Sequence, residues 1–240
     1  QPPLELSYNA RRVWQAYGRR RAQLHRRGIA VGRARAGVLS RPHSGRPACD
    51  YSNLEFWQAQ PYVFTPAQLL RKLSAAGQLD YYGDVLALRW QEHADHVTVT
   101  ARRLDGGRAA QFSARRVLLA AGAINSARLA LQSQGDTSAR LPLLENPILQ
   151  IPLLLPASLG RRLDTHAFGL VQLNLVWQAA AWQTLLQGSL IELTAPLRSE
   201  FFGRFPLSAR SNLTLIRQAL PAMLMLQLYF PAWVQPPARL

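Results

Sequence analysis

The sequence contains very little cysteine and almost no lysine. Cys49 is the only cysteine among 240 residues, so an intramolecular disulfide framework and a cysteine metal cluster are both excluded. Lys72 is the only lysine, and all other basic residues apart from histidine are arginine. No apolar run reaches the roughly 20 residues that cross a bilayer. The longest candidate, residues 220–234, is interrupted by Pro221 and Pro231, so we expect a buried strand there and no membrane span.

The N-terminal region also lacks the pattern of a secretory signal. No apolar segment follows its first charged residues, so no signal peptide is predicted. This absence and the single cysteine favour a cytoplasmic location. The chain begins with Gln1 and not with Met, which leads us to expect a piece of a longer protein.

Several catalytic patterns are missing. The G-x-G-x-x-G spacing is not formed by the glycines of the arginine-rich region, Gly28, Gly32 and Gly37. No histidine follows His166, and Ser189 does not lie in a nucleophile elbow. His93 and His96 flank a predicted hairpin turn without the carboxylates that a metal site would need, so no metal site is predicted. The catalytic residues therefore stay unassigned.

The composition that is present predicts a globular protein with a basic surface. Apolar residues make up 48% of the chain and charged residues 17%, which suits a folded protein with a core. The formal net charge is +15, and nine arginines fall between Arg11 and Arg35. This excess can reflect the coding bias of a GC-rich genome or an acidic partner. Because aromatic residues do not interleave with the arginines, nucleic-acid binding is the less favoured interpretation.

The first 114 residues predict two helices and a meander. Residues 8–27 form an amphipathic pattern that Gly28 would end, and a loop rich in Gly, Pro and Arg follows to residue 48. Thr65, Pro66 and Gln68 are typical of a helix start, and this helix should continue to about Ala75. Three alternating segments then predict an antiparallel meander, at residues 85–90, 97–101 and 109–113.

The last hundred residues predict an antiparallel α+β domain. Three prolines interrupt the apolar stretch at residues 141–155, a fourth follows it at Pro156, and together they exclude a regular helix. Alternating or apolar segments predict strands, and one amphipathic segment predicts a helix at residues 210–220. The strands are expected at residues 168–177, 189–194 and 223–230. No internal repeat is apparent.

The segment at residues 115–131 links the two halves and indicates a ligand site. An unbroken apolar run, residues 117–121, predicts a strand at residues 115–121 that is covered on both faces, as in a parallel sheet. Gly122 then removes the Cβ at the point where the strand gives way to a helix, so a ligand could approach the backbone closely. Asn125 or Ser126 is a suitable N-cap for that helix. An ordinary α/β core without a ligand would produce the same pattern.

These elements, in this order, resemble the glucose-methanol-choline (GMC) family of FAD-dependent oxidoreductases. The resemblance rests on the helix led by Phe64-Thr65-Pro66, the strand at Tyr82-Gly83-Asp84-Val85, the meander, and the run Ala120-Ala121-Gly122-Ala123-Ile124-Asn125-Ser126-Ala127-Arg128-Leu129. That run is similar to the second signature of the family. Two positions depart from the signature, since Ala127 stands where proline is usual and Gln134 where glycine is usual. The match covers residues 49–135.

The resemblance implies a fold, a cofactor and a domain division. It implies an α/β FAD/NAD(P)-binding-like portion, with a parallel sheet and an antiparallel meander, and an α+β antiparallel-sheet substrate domain. Residues 1–48 would be a basic helix and loop, 49–135 a partial FAD-binding domain, and 136–240 the substrate domain. The backbone of Val85 would lie near the adenine. The other implied cofactor-binding residues are Ala120, Ala121 and Gly122, and they would approach the nucleotide half of FAD.

The resemblance further implies hydride transfer from a CH–OH group of a small alcohol or sugar-like substrate to FAD. The glycine motif that would hold the pyrophosphate and the C-terminal catalytic histidine region of the family are not found in this sequence. This chain alone is therefore expected to be inactive and to bind FAD weakly. A degenerate relative that serves as a binding or interaction module is the main alternative, and a basic nucleic-acid-binding protein is a further one.

Overall fold

The computed structural model describes residues 1–51, 60–136, 138–162, 164, 171–179, 184–192, 206–234 and 238–239. The helices are α1 (Tyr8–Arg26), α2 (Pro66–Ala75), α3 (Ala123–Gln134) and α4 (Ala209–Ala219). The strands are β1 (Ile29–Arg33), β2 (Val85–Glu92), β3 (Val97–Arg103), β4 (Ala109–Ala114), β5 (Pro142–Leu143), β6 (Ile148–Leu154), β7 (Leu173–Ala179), β8 (Thr184–Glu192), β9 (Met223–Tyr229) and β10 (Ala238–Arg239).

These elements form two compact units. The first unit comprises Gln1–Thr65 and Glu145–Pro236, and the second comprises Pro66–Leu144 and Pro237–Leu240. The boundaries at 65/66 and 144/145 differ from the expected ones at 48/49 and 135/136. The N-terminal basic helix thus belongs to the same unit as the predicted substrate domain. Residues 52–59 of the expected FAD-binding portion lie outside the described residues, as do the ends of two predicted strands, at 168–170 and 193–194.

The first unit is built on a five-stranded antiparallel sheet in the order β1-β7-β8-β9-β6. One face of this sheet carries Leu173, Leu190 and Leu224, which pack against Leu6 and Ala10 at the start of α1. Partly buried side chains of the helix and sheet extend this core, including Val13, Trp14, Val31, Leu153 and Leu226. Helix α1 forms because its apolar residues recur at helical spacing, and it stays docked because those residues cover the leucines of three strands.

Helix α4 packs against the opposite face of the sheet. Leu215 and Ile216 of α4 contact the buried Leu220, which in turn packs on Met223 and Met225 of β9. Ser208 caps the helix by accepting a hydrogen bond from the Ser211 N–H at 3.2 Å. Since side chains alternate between the two faces of a strand, these two methionines lie on the face of β9 that is remote from Leu224 and α1.

The second unit contains the meander, two helices and a short strand pair. Strands β2, β3 and β4 form an antiparallel sheet, and β5 pairs with β10. Helix α3 packs on β2, where the Trp90 N–H donates to Ser133 Oγ at 2.9 Å. Among the described residues of this unit, the buried apolar side chains are Ala101 and Leu129. The apolar core of the second unit is therefore small.

Most elements confirm the sequence predictions, but the central segment does not. Residues 115–121 are not a strand, and the side chain of Leu118 is 94% exposed. No described strand pairs with this segment, and every described strand pairing is antiparallel, so the predicted parallel sheet is not found there. An apolar run becomes a strand only when neighbouring strands satisfy its backbone groups, and that condition is not met.

Two smaller predictions also need correction. Residues 28–48 were expected to be a loop, yet Ile29–Arg33 forms edge strand β1 by pairing with β7. Helix α3 begins at Ala123, and its N-cap Gly122 lies three to four residues before the expected caps Asn125 and Ser126. The first difference depends on backbone pairing with β7 and the second on the backbone conformation at Gly122, and the side-chain pattern encodes neither.

Gly28 joins α1 to β1 and generates a stability prediction. Its φ is +74°, and a Cβ there would lie 2.7 Å from the carbonyl oxygen of Gln178 on β7. Gly45, in the same unit, has φ +75° but no heavy atom within 4 Å of the corresponding position. Gly28→Ala should lower the free energy of unfolding by about 1–3 kcal/mol more than Gly45→Ala, because only Gly28 adds a backbone clash. Urea unfolding followed by circular dichroism measures the difference, and equal losses would contradict the close approach.

Candidate functional site

The predicted cofactor-binding residues lie on two elements of the second unit. Val85 is the first residue of β2 and is half-buried, whereas Ala120, Ala121 and Gly122 are exposed and lead directly into α3. Helix α3 packs on β2, so the structure brings the two elements together. The recorded hydrogen bond between them joins Trp90 and Ser133, near the ends of β2 and α3, and not the predicted residues themselves.

Gly122 has a conformation that other residues avoid. Its φ of 82° and ψ of 164° lie in a region that is almost exclusive to glycine. No heavy atom lies within 4 Å of the position that a Cβ would occupy, so the space in front of the backbone is open. A planar or phosphorylated ligand could therefore approach this backbone closely.

The first turn of α3 is open for the same reason. Gly122 has no side chain, and no side-chain hydrogen bond caps the helix. The N–H groups at the beginning of an α-helix have no partners within the helix, and they favour negative charge. Phosphate groups commonly occupy such positions. The turn at residues 120–123 thus combines an open backbone with uncapped N–H donors.

An apolar surface adjoins this turn in sequence. Val117, Leu118 and Leu119 are 40%, 94% and 43% exposed, and Ile124 in the first turn of α3 is 62% exposed. Other large apolar side chains of the same unit are also exposed, including Leu69, Leu70, Tyr81 and Tyr82. Folded proteins rarely leave so many large apolar groups in water without a binding or packing role. The second unit therefore presents surface that suits a cofactor or a further layer of protein.

A buried polar network lies in the first unit, at the N-terminus of α1. Ser7 caps the helix, donates from its Oγ to Glu192 at the end of β8, and donates its backbone N–H to Gln172 Oε1 at 2.8 Å. Asn9 donates to the Pro221 carbonyl at 2.7 Å and accepts from Ser158 Oγ at 2.8 Å. A serine just before an apolar helical pattern could have been recognised as a cap, but its partners 165 and 185 residues away could not.

This network holds one carboxyl group with a perturbed pKa. Burial raises the pKa of Glu192, and the negative charge of Asp164 raises it further. The hydrogen bonds from Ser7 and from the backbone of Asn9 and Ala10 act in the opposite direction. Every member of the network is held by another member, so the geometry is that of a structural clamp and offers no free nucleophile or base.

Among the described residues, the other titratable groups give no catalytic arrangement. Cys49 is buried, and burial raises the pKa of its thiol, which makes the thiolate scarce. His93 and His96 flank the turn between β2 and β3, and their rings stack with centroids 4.4 Å apart. The His96 ring contacts Asp95 at 2.7 Å, and this interaction lowers the pKa of the Asp95 carboxyl.

The described part of the chain holds no group of three or more His, Cys, Asp or Glu side chains that could bind a metal ion. None of its helices combines the length and the apolar character needed to cross a membrane. A comparison of the sequence with models of known protein families found no match, and a comparison with curated proteins found none either.

Glu192 generates a prediction about pH. Because its pKa is higher in the folded protein than in the unfolded chain, folding takes up a proton between the two pKa values. The contribution of Glu192 is therefore most favourable below the ordinary glutamate pKa of about 4.3 and is lost as the pH rises through the raised value. Glu192→Gln should match the wild type near pH 4 and gain stability relative to it as the pH rises to about 8.

Urea unfolding of both proteins across that pH range checks this expectation. The control is Glu145→Gln, which removes an exposed carboxylate from the same unit. Its stability relative to the wild type should change little with pH. A Glu192→Gln protein that instead loses stability relative to the wild type as the pH rises would show that the hydrogen bonds to the carboxylate outweigh the cost of burying it.

Proposed function

We propose that the chain is a portion of a GMC-like flavin-dependent oxidoreductase that oxidises a CH–OH group by hydride transfer to FAD. The order of helix, strand, meander, Ala-Gly-Ala turn and helix supports the proposal, because this order is the one on which the resemblance rests. The observation that carries it is Gly122, with its glycine-only backbone conformation and the open first turn of α3.

The residues around this turn fit FAD in shape and in charge. Ala120, Ala121 and Gly122 present small side chains or none, so a flat nucleotide can lie against the backbone. The N–H groups at the start of α3 would donate to a phosphate or to the edge of a ring. Val85 would contribute its backbone from the start of β2. FAD, when bound, supplies the hydride acceptor.

The exposure of residues 117–119 also supports the proposal. In the function proposed here, this apolar run would be a strand of a parallel FAD-binding sheet, covered on both faces and paired with strands outside this sequence. Leu118, at 94% exposure, would then be buried. Fully burying a leucine side chain contributes about 1.5–3 kcal/mol, so the covering layer would be strongly favoured.

Other parts of the proposed activity rest on the resemblance alone. The substrate would be a small alcohol or a sugar-like molecule, and the catalytic residues stay unassigned. The nearest alternative is a relative of the same fold that binds a partner without catalysis. These two possibilities differ in whether the protein binds flavin.

Flavin binding by the protein expressed from its complete coding sequence tests the proposal. We expect FAD to copurify and its visible absorbance to bleach when a CH–OH substrate is added. Gly122→Ala should weaken FAD binding by about tenfold or more, since an alanine in this conformation costs about 1–3 kcal/mol. The control is Gly107→Ala in the turn between β3 and β4, which also has positive φ and open space around it.

Three outcomes would overturn the proposal. A protein that melts cooperatively but neither copurifies with FAD nor binds added FAD would favour the non-catalytic relative. Equal effects of Gly122→Ala and Gly107→Ala on FAD affinity would place the flavin elsewhere. A coding sequence without a glycine-rich βαβ motif upstream and without a histidine downstream would exclude the enzyme.

A further inference from the structure

The five-stranded sheet has a second face that carries no charged side chain in its described strands. We call it the amide face and define it as the side of the sheet opposite α1. Alternation along the strands places on it the residues that do not face α1. Its polar members are Asn174, Gln178, Gln187, Ser189, Gln227, Tyr229 and Gln150, and its apolar members include Val176, Leu185, Ile148, Met223 and Met225.

Four of the polar residues form a row across the sheet. Asn174 is paired with Ser189, Ser189 with Gln227, and Gln227 with Gln150. Neighbouring strands lie about 4.8 Å apart, so the row extends over about 14 Å. Ser189 Oγ donates to Asn174 Oδ1 at 3.4 Å, and Tyr229 Oη donates to Gln227 Oε1 at 3.1 Å. These bonds orient the amides within the row.

The row has free hydrogen-bonding capacity at its open end. Gln150 at this end and Gln187 in the adjacent row, two strands away, are exposed, and neither makes a side-chain hydrogen bond to another described residue. Each carboxamide offers two N–H donors and a carbonyl acceptor. Asn174 and Gln227 are half-buried, and Ser189 is buried beneath them. The face thus presents donors and acceptors in nearly equal supply.

Apolar side chains border the row. Val176, Leu185 and Ile148 are 40%, 62% and 53% exposed. A second row, next to the first, runs Val176, Gln187, Tyr229 and Ile148 from strand to strand. Apolar atoms and an aromatic ring therefore alternate with amides on this surface. At the other end of the face, Leu220, which directly follows α4, packs on Met223 and Met225 and bounds the surface on that side.

The absence of charge contrasts with the rest of the protein. The chain has a net charge of +15, and the meander carries Arg89, Glu92, Arg102 and Arg103 in its strands. A sheet face whose only role is to contact solvent would be expected to carry charged residues as well. Seven neutral polar side chains on one face point to a ligand that is itself neutral and rich in hydrogen-bonding groups.

We propose that the amide face binds a neutral polyhydroxylated ligand, an oligosaccharide of two or three rings. Each sugar hydroxyl donates and accepts, as a carboxamide does, and the C–H faces of the rings would pack on Leu185, Ile148 and the Tyr229 ring. The described strands place no cation on this face with which an anionic ligand could pair. The row of about 14 Å suits an extended ligand better than a single ring. The proposal does not rest on flavin binding, although sugar-like substrates are among those of the proposed function.

Titration of the full chain with maltotriose and cellotriose, observed by calorimetry and by amide chemical shifts, tests this proposal. At least one trisaccharide should bind and should shift the backbone amides of β6, β8 and β9. The double variant Gln150→Met and Gln187→Met keeps side-chain size at two exposed positions and should weaken binding about tenfold or more. Asn174→Leu, which acts at the half-buried end of the row, is a second variant with the same expected direction.

The control is Gln15→Met on the exposed surface of α1, which should leave the affinity unchanged. Absence of binding by both trisaccharides would overturn the proposal, as would equal affinities for the double variant and the wild type. If the double methionine variant binds a neutral detergent more tightly than the wild type does, the face would be assigned to an apolar occupant instead. None of these outcomes depends on FAD, so the two proposals can fail separately.

Discussion

The docking of α1 on the five-stranded sheet is the contact on which the first unit depends. Leu6 and Ala10 cover the central leucines of three strands, while Ser7 and Asn9 hold the helix N-terminus through side chains from distant parts of the chain. The apolar contacts supply most of the free energy, since burial scales with the area removed from water. The polar contacts determine the position of the helix, because a shift by one residue would leave buried donors and acceptors unpaired.

This arrangement leaves the two faces of the sheet with different properties. One face is closed by α1 and is apolar, apart from the clamp around Glu192. On the other face, Leu220 after α4 packs on Met223 and Met225, and the strand residues beyond them are neutral in the part of the chain that the structure describes. The asymmetry is suited to a protein that uses one side of a sheet for stability and the other for recognition.

The second unit has the opposite character. Its meander is regular, yet its buried apolar side chains in the described residues are Ala101 and Leu129, and Leu118 is almost fully exposed. A unit with so little core gains stability from whatever covers its apolar surface. Under the proposed function, that cover would be FAD and further strands, and Gly122 would allow the cofactor to reach the backbone. The strand predicted at 115–121 is not found because no described strand pairs with it, and its apolar side chains are exposed as a result.

The sequence by itself determined the local elements of this protein. Helical spacing and caps placed α1, α2 and α4 within one or two residues, and alternation placed the meander and β9, because these signals depend on neighbours a few residues apart. The turn before α3 was also readable at Gly122, whose backbone conformation is one that only glycine readily adopts. Tertiary structure alone decided the partners of Ser7, the register that aligns Asn174 with Ser189, Gln227 and Gln150, and the exposure of Leu118. Each of these depends on which strand lies beside which, and pairing between distant segments leaves no periodic signal along the chain.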